Sequence, residues 1–313
     1  MLKRLFLMAV VGASLLACKT DKAHQSGLKA MDEKMAFKVA VLPTLEAVPL
    51  CYAVETGLAD SLGLRLSLKV VDSQFSMSES VKTNVAEVGM LDFVRLAYHR
   101  GRGEDLVLVA SMMGEAGIVA SKSLRIKKIE QMDERTFGVE RFSMLDQLRE
   151  TAQLDAKMPY DRLLIAQINS YPLRTVMLDE NQIDGAVLPQ PFLRQAQMRG
   201  HTLLTQKPMV WKLGFVTKDS SIVKDMDRLK LLVKVYNASV RKLNTTCDSL
   251  ALLRVENLLK YDRGLLSRSA GFRYKALQSP TIYETASVSA YLERRKGSKR
   301  GLSSPPYSTR IMP

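Results

Sequence analysis

The residues that could do chemistry here are scattered, and their types favour binding. Gln190 stands between Pro189 and Pro191, just after a run over residues 183–188 that is apolar except at Asp184. Proline fixes φ, restrains the residue before it and suits the first turn of a helix. Gln190 is therefore expected to be held at the carboxyl end of a strand, where open α/β sheets place their ligands. The alternative is an ordinary βα connection with a surface glutamine. Asp92 follows a second short apolar run, residues 88–91. Glu46, Asp92 and Asp146 fall near loops, without the spacing of a glycosidase-type pair. The histidines, His24, His99 and His201, have no partner at ligand spacing, so no metal site is expected. GxSxG, GxxxxGK[ST] and HExxH are missing, and no GxGxxG follows a strand. Neither catalysis nor a cofactor is expected.

Helix N-termini are the remaining chemical resource. Their free N–H groups and dipole favour anionic or polar ligand groups. Three openings fall at strand ends: residues 44–48, 142–144 and 169–171. Ser143 can cap its own helix, touch ligand, or both. Arg141 can pair with an anion or stay solvated. Met112 and Met113 fall at a crossover and read either as pliable lining or as core.

The elements that position these residues follow an α/β pattern. Residues 37–42, 64–71, 88–91 and 106–112 read as strands, alternating with helices over 49–58, 76–86 and 93–100. The pattern restarts after Met113-Gly114. Strands are expected at 117–120, 136–140, 163–168, 183–188 and 201–205, with helices over 126–132, 143–154, up to about Leu178, and after Pro191. Residues 209–217 read as an extended segment returning to the first unit. Helices then cover 222–242 and 248–260, and the tail from Ser279 is less regular. An internal repeat supports two lobes: FVRLAYHRG from Phe93 aligns with FLRQAQMRG from Phe192. Asp92 and Gln190 become counterparts, one per lobe, both expected toward the cleft.

Length, composition and the ends set the class. The 313 residues, 46% hydrophobic and 25% charged, suit a globular chain with a sizeable core. Met1-Leu2-Lys3-Arg4, an apolar run from Leu5 and then Leu15-Leu16-Ala17-Cys18 read as a secretory signal. The formal charge of +14 lacks a basic stripe with interleaved aromatics, so nucleic acid is not expected as a partner. Solvated surface, anionic headgroups or an anionic ligand account for it better. Cys51 reads as a helix-face core residue, and a bridge from Cys51 to Cys247 is not required.

The end of the leader resembles the lipobox of bacterial lipoproteins, which implies an acylated Cys18. VPLCYAVETGL from Val48, EVGM from Glu87 and QIDGAVLPQPF from Gln182 resemble ABC-transporter substrate-binding lipoproteins. The nearest group contains sulfonate, taurine, nitrate and thiamine-precursor binders. The resemblance implies a two-lobed type II periplasmic-binding-protein fold, with a hinge and a helical C-terminal region. It divides the chain into a signal (1–17), a tether (18–35), lobe 1 (36–113 and 208–313) and lobe 2 (114–207). It implies a monomer at the cell envelope, anchored in the bilayer through Cys18 and facing the periplasm or exterior. Its partners would be a small polar or anionic ligand and a membrane permease. Thr44, Glu46, Ser73, Asp92, Met113, Ser143, Asn169 and Gln190 are expected to face the cleft. Pro189 and Gln190 replace the tryptophan and glutamate common at that turn, so no particular ligand is implied. The rivals are an enzyme on the same fold, like thiamine-pyrimidine synthases or menaquinone-pathway enzymes, and a surface lipoprotein that binds a protein.

Overall fold

A computed structural model describes residues 35–246, 248–268, 271–279 and 285–295. By its contacts the chain divides into Met1–Phe37 and Lys38–Pro313. Only residues 35–37 of the first unit are described, so the signal, Cys18 and nearly all of the tether lie outside the described residues, as does Cys247.

The strands are β1 (Phe37–Val41), β2 (Leu66–Val70), β3 (Val88–Asp92), β4 (Leu106–Ala120), β5 (Thr136–Val139), β6 (Leu164–Gln167), β7 (Gly185–Pro189), β8 (Thr202–Leu203) and β9 (Met209–Lys218). The main helices are α1 (Val48–Glu55), α2 (Gln74–Lys82), α3 (Phe93–Gly101), α4 (Met144–Asp155), α5 (Tyr171–Asp179), α6 (Phe192–Met198), α7 (Ile222–Thr245), α8 (Ser249–Leu259) and α9 (Thr285–Arg294).

The strands join in the order β2-β1-β3-β9-β4-β7-β5-β6, with β8 also on β4. Read from one end, here called lobe 1, this single sheet runs β2-β1-β3-β9-β4, and from the other, called lobe 2, it runs β6-β5-β7-β4 with β8 on β4. Each lobe thus runs second, first and third strand, then the strand arriving from the other lobe, then the fourth. This shared order is the tertiary counterpart of the repeat seen between α3 and α6. The first and third strands are parallel in each lobe, and the arriving strand is antiparallel to both of its neighbours. Both faces are covered, which explains why β3 and β7 are buried along their whole length.

Local chemistry sets the helix starts at the cleft. Ser73, Asp92, Ser143 and Ser170 adopt extended backbone, and each accepts from an N–H of the helix it precedes. β3 approaches α2 closely at Gly89, where a Cβ would lie 2.7 Å from Val81 Cγ2 and 2.8 Å from Met77 Sδ. Cys51 is buried on α1, as the helix pattern suggests.

Several expectations are corrected. The break at Met113-Gly114 does not occur, because β9 pairs with β4 from Leu106 to Ala116 and carries it through as one strand. The helix expected over 126–132 is a 3-10 turn, Ile129–Met132; the apolar spacing of three at Ile126, Ile129 and Met132 suits that tighter helix. The helix expected over 76–86 is α2, which starts at its Ser73 cap and stops before Asn84, at φ 58. The strand expected over 201–205 keeps only Thr202–Leu203. Within the tail expected to be irregular, α9 forms and docks on α3 and α4.

Candidate functional site

The strand ends of the two lobes meet in a closed cleft. Leu45 N donates to Gln190 O at 2.9 Å, and Tyr171 N donates to Asp72 O at 3.2 Å. The rings of Tyr98 and Phe142 lie 5.2 Å apart. Between these contacts sits Glu140, the residue that follows β5. Its carboxylate accepts from Gln74 N at 3.0 Å and Phe75 N at 2.7 Å, the free N–H groups opening α2. Arg95 Nη2 donates to the same carboxylate at 3.0 Å and to Arg141 O at 3.3 Å. Burial pushes the Glu140 carboxyl above its ordinary value, against the pull of Arg95 and Arg174.

Asp92 answers from lobe 1. Its carboxylate accepts from Arg95 N at 2.8 Å, capping α3, and it also faces the backbone N–H of Met144 at the start of α4. Burial pushes this carboxyl up to about 7. Each of two helix N-termini therefore faces a carboxylate from the opposite lobe. Arg174 braces the lobe 2 wall from behind, donating to Ile168 O, Asn169 O and Val187 O at 2.6, 3.3 and 3.0 Å.

A second space opens at the hinge. A cavity of about 180 Å³ is lined by Glu46, Met112, Met113, Gly114, Tyr236 and the segment from Gly271 to Lys275. Gly114 permits this packing, because a Cβ there would collide with Trp211 Nε1 and Glu46 Oε1. Glu46 is 7% exposed, and burial pushes its carboxyl up to about 7. Its backbone carbonyl accepts from Tyr236 OH at 3.1 Å.

The expected site residues fall into three sets. Ser73, Asp92 and Ser143 gather around Glu140. Ser143 accepts from Asp146 N at 3.3 Å, and its hydroxyl donates to Glu140 O at 2.6 Å. Glu46 and Met113 line the hinge cavity, while Thr44 and Gln190 sit on the two loops joined by Leu45 N. Gln190 is buried one residue ahead of the Pro191 N-cap of α6, its Oε1 accepting from Arg194 N at 3.2 Å. Asp92 is the N-cap of α3, whereas Pro191 holds that position in α6, so Gln190 matches Asp92 only in accepting from the corresponding arginine N–H. Asn169 stands apart: its Oδ1 accepts from Gln167 Nε2 at 2.6 Å, within its own strand end. The Arg141 guanidinium reaches Ile165 O at 3.5 Å.

Glu140, Arg95, Gln74, Tyr171 and Trp211 escaped the sequence reading. Glu140 closes the strand expected at 136–140, so its position was visible although its partners were not. Among the described residues, buried polar atoms without a well-formed hydrogen bond concentrate here: Arg95 Nε and Asp92 Oδ2, Gln74 Nε2 and Tyr171 OH, which face each other, Thr44 Oγ1 and Glu46 Oε2, which also face each other, and Trp211 Nε1. Such atoms are costly to leave unsatisfied, which marks the region as a place for a guest or for water.

No family model and no curated protein matches the chain. Solved structures do. The periplasmic aliphatic sulphonate binding protein of Escherichia coli superposes with TM-score 0.67 at 11% identity, covering 89% of this chain and 92% of its own. An alkanesulfonate-binding protein of Xanthomonas axonopodis pv. citri, bound to MOPS, gives 0.70 at 9% identity, covering 88% and 96%. The ligand-binding component of an ABC-type import system from Staphylococcus aureus, with zinc bound, gives 0.68 at 15% identity, covering 89% and 96%. At these identities the likeness establishes architecture. Together with the strand order in both lobes and the shared crossing strands, it assigns this chain the two-lobed type II periplasmic-binding-protein fold.

Proposed function

We propose that this chain is an extracytoplasmic, lipid-anchored solute-binding protein that captures a small polar or anionic molecule between its lobes for an ABC importer. The observation that carries the reading is the convergence of strand ends and two helix N-termini from opposite lobes on one cleft rich in buried polar atoms without a well-formed hydrogen bond. Closure around a guest would shift an open–closed equilibrium and mark the loaded form for a permease. The lobes are 36–113 with 208–313, and 114–207. Acylated Cys18 and the tether to residue 35 would hold a monomer at the membrane, raising its effective concentration there. A thermal-shift screen with sulfonates, pyrimidines, nitrate and other small anions tests the ligand class. Silence across the screen would sink it and favour a protein partner. Labelled fatty acid should enter the wild type and not Cys18→Ser.

A second reading rests on Asp92 and Glu46, whose carboxyls lie near neutrality as general acids and bases do. An enzyme on this fold would turn over a hit from the screen. Unchanged ligand recovered after prolonged incubation excludes turnover of that compound.

A further inference from the structure

We infer that Glu140 is a tethered carboxylate that occupies the anion position of the cleft and latches the lobes shut, so that a carboxylate- or sulfonate-bearing solute enters only by displacing it. The inference concerns how the proposed solute site is regulated and rests on that reading of the cleft.

The donors define the position. Gln74 N, Phe75 N and Arg95 Nη2 all belong to lobe 1, and they converge on the two oxygens of a carboxylate supplied by lobe 2. Two N–H groups at a helix start plus a guanidinium form the donor set a free anion would use. Glu140 is fully buried, and its own loop is held in place: Ser143 Oγ donates to Glu140 O, and Arg95 Nη2 also reaches Arg141 O. The side chain therefore closes the lobes as a bridging guest would. An anion arriving from solution meets donors already taken. It also meets Asp92, a second buried acid next to Arg95.

The grip is incomplete, which suits a reversible latch. While the lobes are shut, Arg95 Nε has no hydrogen-bond partner among the described residues, and Asp92 Oδ2, Gln74 Nε2 and Tyr171 OH make no well-formed bond, Asp92 facing only Met144 N–H and Gln74 facing Tyr171, so water or a larger guest could satisfy them. An internal ion pair also repays its own desolvation poorly. Opening restores hydration to all of these groups at once.

Chemical rescue tests the latch in the full-length protein. Glu140→Ala removes the carboxylate and leaves its three donors in place. Small-angle scattering reports lobe opening, and fluorescence of Trp211, the only tryptophan in the chain and buried at the hinge, reports the local change. Glu140→Ala is expected to be more open than wild type. Sodium acetate or methanesulfonate should close it saturably, with affinity about tenfold or more above that of wild type, while chloride at equal ionic strength should not. Adding Arg95→Ala should abolish the response. A variant as compact as wild type, or equal acetate affinity in both proteins, overturns the latch. If Glu140→Ala does not fold by circular dichroism, Glu140→Gln keeps the volume and removes the charge. It should still shift toward the open form, and a scattering profile identical to wild type overturns the inference. Acetate rescue with no solute found for wild type would sink the importer reading alone. A solute bound equally by wild type and Glu140→Ala would sink the latch alone.

Discussion

Two clusters of buried charge in this molecule are built to opposite standards. On α4 and α9, Asp146 accepts from Arg149 Nε at 2.9 Å, Arg149 Nη2 at 2.6 Å and Tyr291 OH at 2.6 Å. Glu150 accepts from Arg294 at 2.6 Å and Arg295 at 2.9 Å. Arg149 also reaches Gln153, Arg295 reaches the Tyr160 hydroxyl, and both guanidinium groups lie over the Tyr160 ring, at 4.8 and 4.0 Å. Every carboxylate oxygen and every arginine there has a partner, with Gln147 Oε1 at the margin left over. In the cleft, Asp92, Arg95, Glu140, Gln74 and Tyr171 are buried as deeply, yet four of them keep an atom without a well-formed hydrogen bond. The first arrangement holds a helix in place. The second is costly unless something else completes it.

That contrast can be broken experimentally, and the largest effect is expected in the complete network. Arg149→Ala removes two donors from the buried Asp146 carboxylate, leaving it Tyr291 OH and Arg295 Nη2 at 3.3 Å, and should lower unfolding free energy by about 3 kcal/mol in urea titrations. The cleft's response to anions should be unaltered at temperatures where the variant is folded. A loss of only a few tenths would show that the network is not tightly coupled.

Next in size is the pH dependence of the cleft and hinge acids. Asp92 rises from 3.8 and Glu46 from 4.5, both to about 7, because burial penalises the charged form. The folded state then holds protons that the unfolded chain releases. Each neutral acid contributes stability fully below about pH 4, and the contribution is lost as pH rises toward 7, at about 1.4 kcal/mol per pH unit at most. Asp92→Asn and Glu46→Gln should match wild type in melting temperature near pH 4 and exceed it progressively up to pH 8. A difference that does not grow with pH would mean that these acids are solvated in solution.

A smaller effect is expected at the hinge. Gly114→Ala forces a methyl against Trp211 and Glu46 and should cost about 1–3 kcal/mol, with a shift in Trp211 emission. Unchanged emission would place the indole elsewhere. At the bottom of the scale, Asp133→Asn removes an exposed pair with Arg162 and should leave the melting temperature unchanged, since exposed pairs are solvent-screened.

Much of this architecture was legible in the residues themselves. The order of strands and helices follows from apolar runs bounded by turn residues. Ser143 could be named as a cap because a serine before a periodic helix satisfies free N–H groups by local chemistry alone. The repeat around Phe93 and Phe192 sets Asp92 against Pro191, one residue past Gln190, yet the side chains of Asp92 and Gln190 both accept from the matching arginine N–H, Arg95 or Arg194. The return of residues 209–217 to the first unit was also readable, and β9 pairs with β3 as expected. What lay beyond reach depends on partners far away in the chain. Glu140 meets Gln74 across 66 positions, and no local pattern encodes which strand ends will face each other. β4 runs on through Met113-Gly114 because β9 supplies its hydrogen bonds, and α9 is helical because α3 and α4 offer it an apolar and charged seat. Short-range spacing determined the parts and their caps, while pairing between distant surfaces decided where charge is completed and where it is left open.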